Sequence, residues 1–481
     1  MSVKRNFVYN IILTSGNIIF PVITFPLVSR VLGPVGVGEV QFINTFAQYF
    51  VMIAALGIPI YGIREIAKTR SNNTELKKTA TELLVINFLT SIIFSIVYFL
   101  LVLYVDYFSI NREFYIVFSL ILVTGFGNLE WLFSGLEKFR FIAIRSLLVK
   151  VISFVLILLL IKSPEDIGLY VWILAVGFLL NNIWNMCYAW KYVDLKSPVQ
   201  NGLKRHFKPL LYIFSSIAAI SGYVMLDTII LGFIKGYEAV GFYTAGSRLT
   251  KPVVPILTAL GGVLIPKISE AFHQKDLKTI KDLSDFSFDF VVLIGVPICL
   301  GFMLLSDELI ILLCGADFLA SSLSLKIFAV VVFIIGISNV WAIQILTPAG
   351  KDNLVTYSVV GGLIVSIVLN FILIPLYSYN GAAVTNFLTE LFVTICFFIL
   401  VKRNFGFKFD FLLILKAVFS CFLFFPIFKL VRYFCVNQWI ICAFTALCCG
   451  GVYFLIQLFL FRNSILEKQF ERIRSRFNSG V

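Results

Sequence analysis

The sequence predicts an all-α polytopic membrane protein with about fourteen transmembrane helices, two pseudo-symmetric six-helix lobes followed by two C-terminal helices. Three observations carry this expectation. The first is composition: of 481 residues, 60% are hydrophobic and 14% charged, with mean hydropathy +0.97. Soluble domains hold roughly 25% charged residues, so this chain has too much apolar surface for a water-soluble core and needs the bilayer as its solvent. The second is segmentation. Apolar runs of ~20 residues, the length a helix needs to cross, are separated by short polar stretches and use nearly the whole chain. The third is repetition: several landmarks return in the same order about 200 residues later.

The first span, about 8–32, follows Lys4 and Arg5 and carries Pro21 and Pro26, which kink a helix and leave carbonyls for neighbours to satisfy. A tight turn at Gly33–Gly36 leads to the second span, about 37–62. A basic amphipathic link follows, with Arg64, Lys68, Arg70, Lys77 and Lys78. Spans three to six run over about 82–104, 113–135, 143–161 and 168–190. Their connections alternate between the short loops DYFSINRE and KSPED and the basic turn GLEKFRFIAIR. The polar stretch Lys191 to Lys208 closes the first lobe, residues 1–208. The second lobe, residues 209–408, repeats the plan with spans at about 209–234, 239–266, 286–305, 322–347, 353–375 and 381–401. The segment SDELIILLCGADF between its third and fourth spans is short and partly interfacial. Residues 409–461 form spans thirteen and fourteen, at about 410–431 and 438–461, and residues 462–481 form a basic tail ending RIRSRFNSGV.

The net charge of +13 follows this alternation. Most Lys and Arg fall in one set of loops, so the positive-inside rule places both termini in the cytoplasm. The excess is a topology signal with anionic headgroups as neighbours, not a nucleic-acid surface. Most of the nine cysteines, including Cys299, Cys396, Cys421, Cys442, Cys448 and Cys449, lie inside apolar runs, which argues against a disulfide framework. The first apolar run is too long for a cleavable signal.

The repeat pairs Gly33 with Gly232, each after a leucine and 199 residues apart (232 − 33). Asn128 and Asn339 each precede a tryptophan (Trp131, Trp341), Gly135-Leu-Glu-Lys parallels Gly350-Lys-Asp, and Gly168 parallels Gly381. An even number of helices per half gives both lobes the same orientation. In such transporters the substrate path lies between the lobes near the midplane.

A charge at a helix centre costs roughly 2.5–3.5 kcal/mol on insertion scales, so each needs a reason. Arg248 and Lys251 lie about 14–18 Å into the eighth span at 1.5 Å per residue. Spaced i, i+3, they share a face; they form a cationic substrate surface or pair with a buried acid such as Glu390. Arg30, near the end of the first span, either lines the cavity or snorkels to headgroups. Asp227 lies at the comparable level of the second lobe, where it pairs with Arg30 across a gate, binds a coupling cation or is structural. Glu390, midway along the twelfth span, is a second ion-coupling or gating candidate. Asn370 in the eleventh offers an oxygen ligand or an interhelical hydrogen bond. Glu130 pairs with Lys138 or Arg145, or lines the inner mouth. The cluster Lys138, Arg140 and Arg145 sets topology or attracts a phosphorylated lipid, with Arg145 its candidate substrate contact.

No enzyme signature is present. His206 and His273 fall in links and make no metal pattern, and no cofactor motif appears. With no Walker A sequence, energy has to come from ions or a gradient.

The segments FPLVSRVLGPVGVGEVQF, LDTIILGFIKGYEAVGFYTAGSRL and EWLFSGLEKFRFIAIRSLL resemble those of the polysaccharide-repeat-unit (O-antigen and capsule) flippases of Wzx type. These belong to the multidrug/oligosaccharidyl-lipid/polysaccharide exporter superfamily. The resemblance spans essentially the whole chain. It implies a multi-pass protein of the bacterial inner membrane that carries undecaprenyl-diphosphate-linked oligosaccharide from the cytoplasmic to the periplasmic leaflet by alternating access. It further implies H+ or Na+ coupling, and a polysaccharide polymerase and chain-length regulator as partners in lipopolysaccharide or capsule assembly. Related flippases hold the diphosphate with cavity cations, a role that Arg30, Arg248 and Lys251 are placed to fill. The lipid II flippases place a sodium site on helices 7, 11 and 12, to which Asp227 and Asn370 correspond. The chain departs from that pattern in having no acid in the outer part of its eleventh span, where Pro375 lies. The rivals are a cation-coupled multidrug antiporter, which is expected to line its cavity with acids, and a membrane glycan polymerase or ligase, which needs paired acids in a larger outer loop.

Overall fold

A computed structural model describes residues 3–194, 202–463 and 465–467. Most of the basic tail and the middle of the Lys191–Lys208 stretch lie outside these residues. Among the described residues every regular element is helical. Eleven helical segments are long and apolar enough to cross a membrane. Three of them, Val8–Thr69, Met225–Gln274 and Asp352–Phe405, hold a bent pair, which brings the crossings to the fourteen expected. The chain divides into two compact units, Met1–Gly241 and Phe242–Val481.

The first unit begins with α1 (Val3–Ala55), two spans joined at Gly33, whose φ of 67° and ψ of −179° are open only to glycine without strain. A second break at Leu56–Gly57, both at positive φ, sets α2 (Ile58–Thr69) apart. Its buried Ile58, Tyr61, Gly62 and Ile66 recur at helical spacing, so one face of α2 packs while Arg64 and Lys68 stay outside. α3 (Asn73–Tyr104) starts nine residues earlier than its apolar run. Asn72 caps it, its side chain accepting from the amides of Thr74 and Glu75 at 3.1 and 3.4 Å. α4 (Arg112–Val123) stops at the Gly125–Gly127 turn, and α5 (Glu130–Gly135) is a short restart. α6 (Phe139–Leu160) and α7 (Ile167–Ala189) complete six spans. α1 packs on α3, α4 and α6, and α2 on α3 and α5.

α8 (Leu203–Thr250) bends at Gly236, with φ 81° and ψ −175°. These are the angles of Gly33, so Gly236 and not Gly232 is the repeat partner. Gly232 lies inside the helix, where a Cβ would stand 2.1 Å from a ring carbon of Phe42. The following leucine-glycine match misled the register because the positive φ, not the preceding residue, is what the turn selects.

In the second unit α8 gives way at Lys251–Val253 to a 3-10 turn carrying Pro252, and the helix resumes as α9 (Val254–Gln274). The eighth span is therefore broken beside Arg248. α10 (Leu277–Leu304), the short α11 (Ser306–Leu313) and α12 (Ser322–Asn339) follow; α12 runs into a π-helical stretch, Val340–Leu346. α13 (Asp352–Phe405) holds two spans bent at Ser378, and α14 (Leu412–Ser420), α15 (Phe424–Phe434) and α16 (Gln438–Phe459) make up the last two crossings. The duplication shows again before α6 and α13. Glu137 and Gly350 both take positive φ, and the amides that follow reach back five residues, Lys138 to Phe133 O at 2.8 Å and Lys351 to Leu346 O at 2.9 Å.

Candidate functional site

At the Gly33 end of the first unit the bent regions of α1 and α8 cross without side chains between them. A Cβ on Gly38 would stand 1.7 Å from the carbonyl oxygen of Tyr237, and one on Gly241 would stand 2.0 Å from that of Pro34. Positions 34 and 38 correspond to 237 and 241 in the register set by Gly33 and Gly236. The contact is therefore reciprocal, as at a local pseudo-two-fold axis, and each partner has to be glycine.

Aromatic rings close the space behind this crossing. Phe42 and Phe46 of α1, Tyr107 and Phe108 of the α3–α4 connection, and Phe233 of α8 lie 4.7–6.4 Å apart by ring centroids. Polar ties fix them: Tyr107 donates to Gly232 O at 2.9 Å, the hydroxyls of Tyr115 and Tyr237 are 2.8 Å apart, and Asn111 donates to Glu39. Burial raises the Tyr107 phenol above its ordinary range, so it stays a donor at physiological pH.

The expected charges fall in both units. Glu130 opens α5 and is half exposed, while Arg145, on the second turn of α6, is 1% exposed and forms an ion pair with it. The pair joins residues fifteen apart across a helix break. Only Nη2 of Arg145 is used; Nε and Nη1 are buried and have no hydrogen-bond partner among the described residues. The guanidinium lies 5.8 Å from the Phe141 ring. Leaving a buried donor unsatisfied costs about 1–3 kcal/mol, so this fork is incomplete as it stands.

A basic residue within the first unit's spans went unread in the sequence. Lys150, in the middle of α6, donates to Asn17 on α1. Its signal was a single lysine inside the run LLVKVISF. Arg30 is exposed on α1, whereas Asp227 is fully buried in the first part of α8.

In the second unit Arg248 is half-buried and Lys251 exposed, on either side of the point where the helix tightens into its 3-10 turn. Asn370 and Glu390 lie on the two halves of α13, both buried. Asn370 donates to Ser366 Oγ at 3.3 Å, and Glu390 is flanked by the buried Thr389 and Thr394, whose hydroxyls have no partner among the described residues. Among the described residues no group of three or more His, Cys, Asp or Glu is placed to hold a metal ion.

At the other end of α8, some 30 residues or ~45 Å from Gly236 at 1.5 Å per residue, a second polar cluster was missed because its members are far apart in sequence. Glu82 of α3 and His206 of α8 are 1% and 2% exposed and 2.9 Å apart. Arg205 and Tyr61 complete the group.

Comparison with known proteins fits this architecture. The profile of the polysaccharide biosynthesis protein family matches residues 3–272. A protein of Escherichia coli strain K12 that carries the name "Putative O-antigen transporter" is 26% identical over 427 residues, covering 84% of this chain and 98% of its own. The lipid II flippase MurJ of Bacillus subtilis is 27% identical over 168 residues, 34% of this chain and 31% of its own. Among solved structures, lipid II flippase MurJ in an inward closed conformation superposes with a TM-score of 0.77 at 14% identity, covering 95% of this chain and all of that one. An inward-facing multidrug resistance transporter of the MATE family gives 0.62 at 14% identity, over 80% of this chain and 94% of that one.

Proposed function

The chain belongs to the polysaccharide biosynthesis protein family, and from this premise we propose that it is a flippase for undecaprenyl-diphosphate-linked oligosaccharide repeat units. It carries them from the cytoplasmic to the periplasmic leaflet of the bacterial inner membrane by alternating access, with both termini in the cytoplasm. The observation that carries this reading is Arg145: a buried guanidinium inside a membrane-spanning helix with two donors left over. A diphosphate supplies the acceptor oxygens such a fork lacks, and charge-assisted bonds to it are shorter and roughly twice as strong as neutral ones. Arg248 and Lys251 add cations beside a proline-broken helix, and Arg30 adds one near the Gly33 turn.

In this reading the Gly33 end faces the periplasm, and the glycine crossing with its aromatic plug is the outer gate in its closed form. The headgroup enters from the cytoplasmic side while the lipid tail stays in the bilayer. Water returns when the gate opens, and the higher dielectric weakens the phosphate contacts and permits release. Asp227 in the first unit, and Asn370 and Glu390 in the second, are separate candidates for binding a coupling H+ or Na+. Such an ion drives the cycle only if it binds the two states with different affinity.

The test is surface-glycan complementation in cells lacking the native flippase. Arg145→Gln is expected to lower export about tenfold or more at a normal protein level. Undiminished export would remove the observation on which the reading rests.

A further inference from the structure

We propose that His206, with Glu82, Tyr61 and Arg205, forms a proton-binding site that fastens the end of α8 remote from Gly236 onto α2 and α3. Both ring nitrogens of His206 are engaged: Nε2 lies 2.9 Å from Glu82 Oε2 and 3.3 Å from Arg205 Nε, and Nδ1 lies 2.8 Å from the Tyr61 hydroxyl. With one proton, on Nε2, the ring donates to the carboxylate and accepts from Tyr61 at Nδ1. A second proton on Nδ1 donates to the same Tyr61 oxygen, because a hydroxyl both donates and accepts and only its hydrogen has to turn. The imidazole thus has two satisfied protonation states in one heavy-atom arrangement. A backbone amide in place of Tyr61 would have locked it in the neutral form.

The carboxylate makes the second state consequential. Arg205 donates to Glu82 Oε2 from Nε at 3.1 Å and Nη2 at 2.5 Å, so arginine and histidine share one oxygen. The other, Oε1, is buried without a hydrogen-bond partner among the described residues. A Cβ on Gly202 would stand 1.6 Å from it, so any larger residue there would displace the carboxylate. With neutral His206 the buried acid is balanced by Arg205. With imidazolium it is balanced by His206, and Arg205 becomes surplus. The Arg205 side chain is already 52% exposed and has a path to leave. Proton uptake therefore exchanges arginine for histidine as the partner of Glu82.

Among the described residues, further polar groups near the cluster lie on α2 and α3. Arg64 lies 5.4 Å from the Tyr61 ring centroid and is paired at 3.4 Å with Glu65, and the Thr79 hydroxyl lies 3.5 Å from Arg205 Nη2. Glu65 also pairs with Lys68 at 2.8 Å, so one acid faces two cations there; among the described residues, Glu82 and Arg205 are the charged groups in contact with the ring. The site goes beyond the transport reading and is testable without substrate.

The chain has two histidines, and His273 is exposed near the end of α9. In a full-length His273→Gln background, a 13C-histidine label therefore reports His206 alone. The single resonance is followed over the pH range in which the protein stays folded, and it is expected to move as the ring takes up its second proton. Arg205→Gln removes a neighbouring cation and should raise proton affinity about tenfold or more, moving the midpoint up by about 1 unit. Glu82→Gln should move it down by at least as much. A resonance that does not change across this range, or a midpoint that Arg205→Gln leaves in place, would overturn the proposal. The second arm survives a failure of Glu82→Gln to fold, since Arg205 is half in solvent.

Discussion

Replacing Gly38 or Gly241 by alanine should pry open the Gly33 end of the first unit. The new methyl carbon would stand 1.7 Å from Tyr237 O in one variant and 2.0 Å from Pro34 O in the other, where ordinary contact begins at 3.4 Å. The obstacle in each case is backbone, which cannot rotate aside, so the two helices have to part by more than ~1 Å. Overpacking of this kind costs about 1–3 kcal/mol. An open state that separates the helices avoids the cost, so the penalty falls on the closed state alone. A bias of 1–3 kcal/mol changes a two-state ratio about 5- to 150-fold. The assay is a distance distribution between spin labels carried on non-natural residues at Ser109 and Lys235, both exposed at this end. Both variants should shift weight to longer distances, and to similar extents, because the contact is reciprocal. Gly236→Ala is the control. Its φ of 81° makes alanine strained, but a Cβ there meets nothing within 4 Å, so stability should fall by about 1–3 kcal/mol without a shift in distance. If Gly38→Ala and Gly241→Ala also lose only stability and keep the wild-type distribution, the crossing is static packing and the gate assignment fails.

Three other outcomes are expected. Tyr107→Phe keeps the ring in the plug and removes its bond to Gly232 O; it should shift the same distance distribution in the same direction by a smaller amount, about 1 kcal/mol. Glu130→Gln leaves the buried Arg145 without its countercharge and should lower thermal stability by about 1–3 kcal/mol, a loss that an added lipid diphosphate restores. Asp276 caps α10 through the Thr279 amide and hydroxyl, at 3.0 and 2.6 Å, and these bonds hold its carboxyl below the ordinary value. A depressed carboxyl stabilises the fold above its unfolded pKa of about 3.9 and ceases to do so as pH falls through the lower folded value. The stability difference between wild type and Asp276→Ala should therefore be full at neutral pH and vanish in strong acid.

The crossings were legible in the sequence because hydropathy and length are local properties, and the basic links were legible for the same reason. Gly33 was found as a turn, but its partner was misplaced by four residues: glycine at 232 and at 236 look alike in one dimension, and only backbone angles separate them. Arg145 and Glu130 were named, with their ion pair as one alternative beside Lys138, and the turn between α5 and α6 decides for Arg145; the break at Gly125–Gly127 interrupts what reads as one apolar helix. The eighth span likewise reads as continuous although Pro252 tightens it into a 3-10 turn beside Arg248. Lys150 was visible and passed over among bulky neighbours. The Glu82–His206 pair was out of reach, since residues 124 apart are brought together only when α8 packs along the first unit.

The most direct test of the central claim is transport by the purified chain in liposomes. A fluorescent oligosaccharide on undecaprenyl diphosphate is placed in both leaflets, and its accessibility to an impermeant reagent is followed over time. Wild-type protein is expected to move the lipid-linked glycan between leaflets, and Arg145→Gln to slow this about tenfold or more, the value of one lost charge-assisted contact of about 1.5–3 kcal/mol. Wild-type protein that leaves the glycan lipid in its starting leaflet, or an Arg145→Gln variant that moves it at the wild-type rate, would contradict that claim.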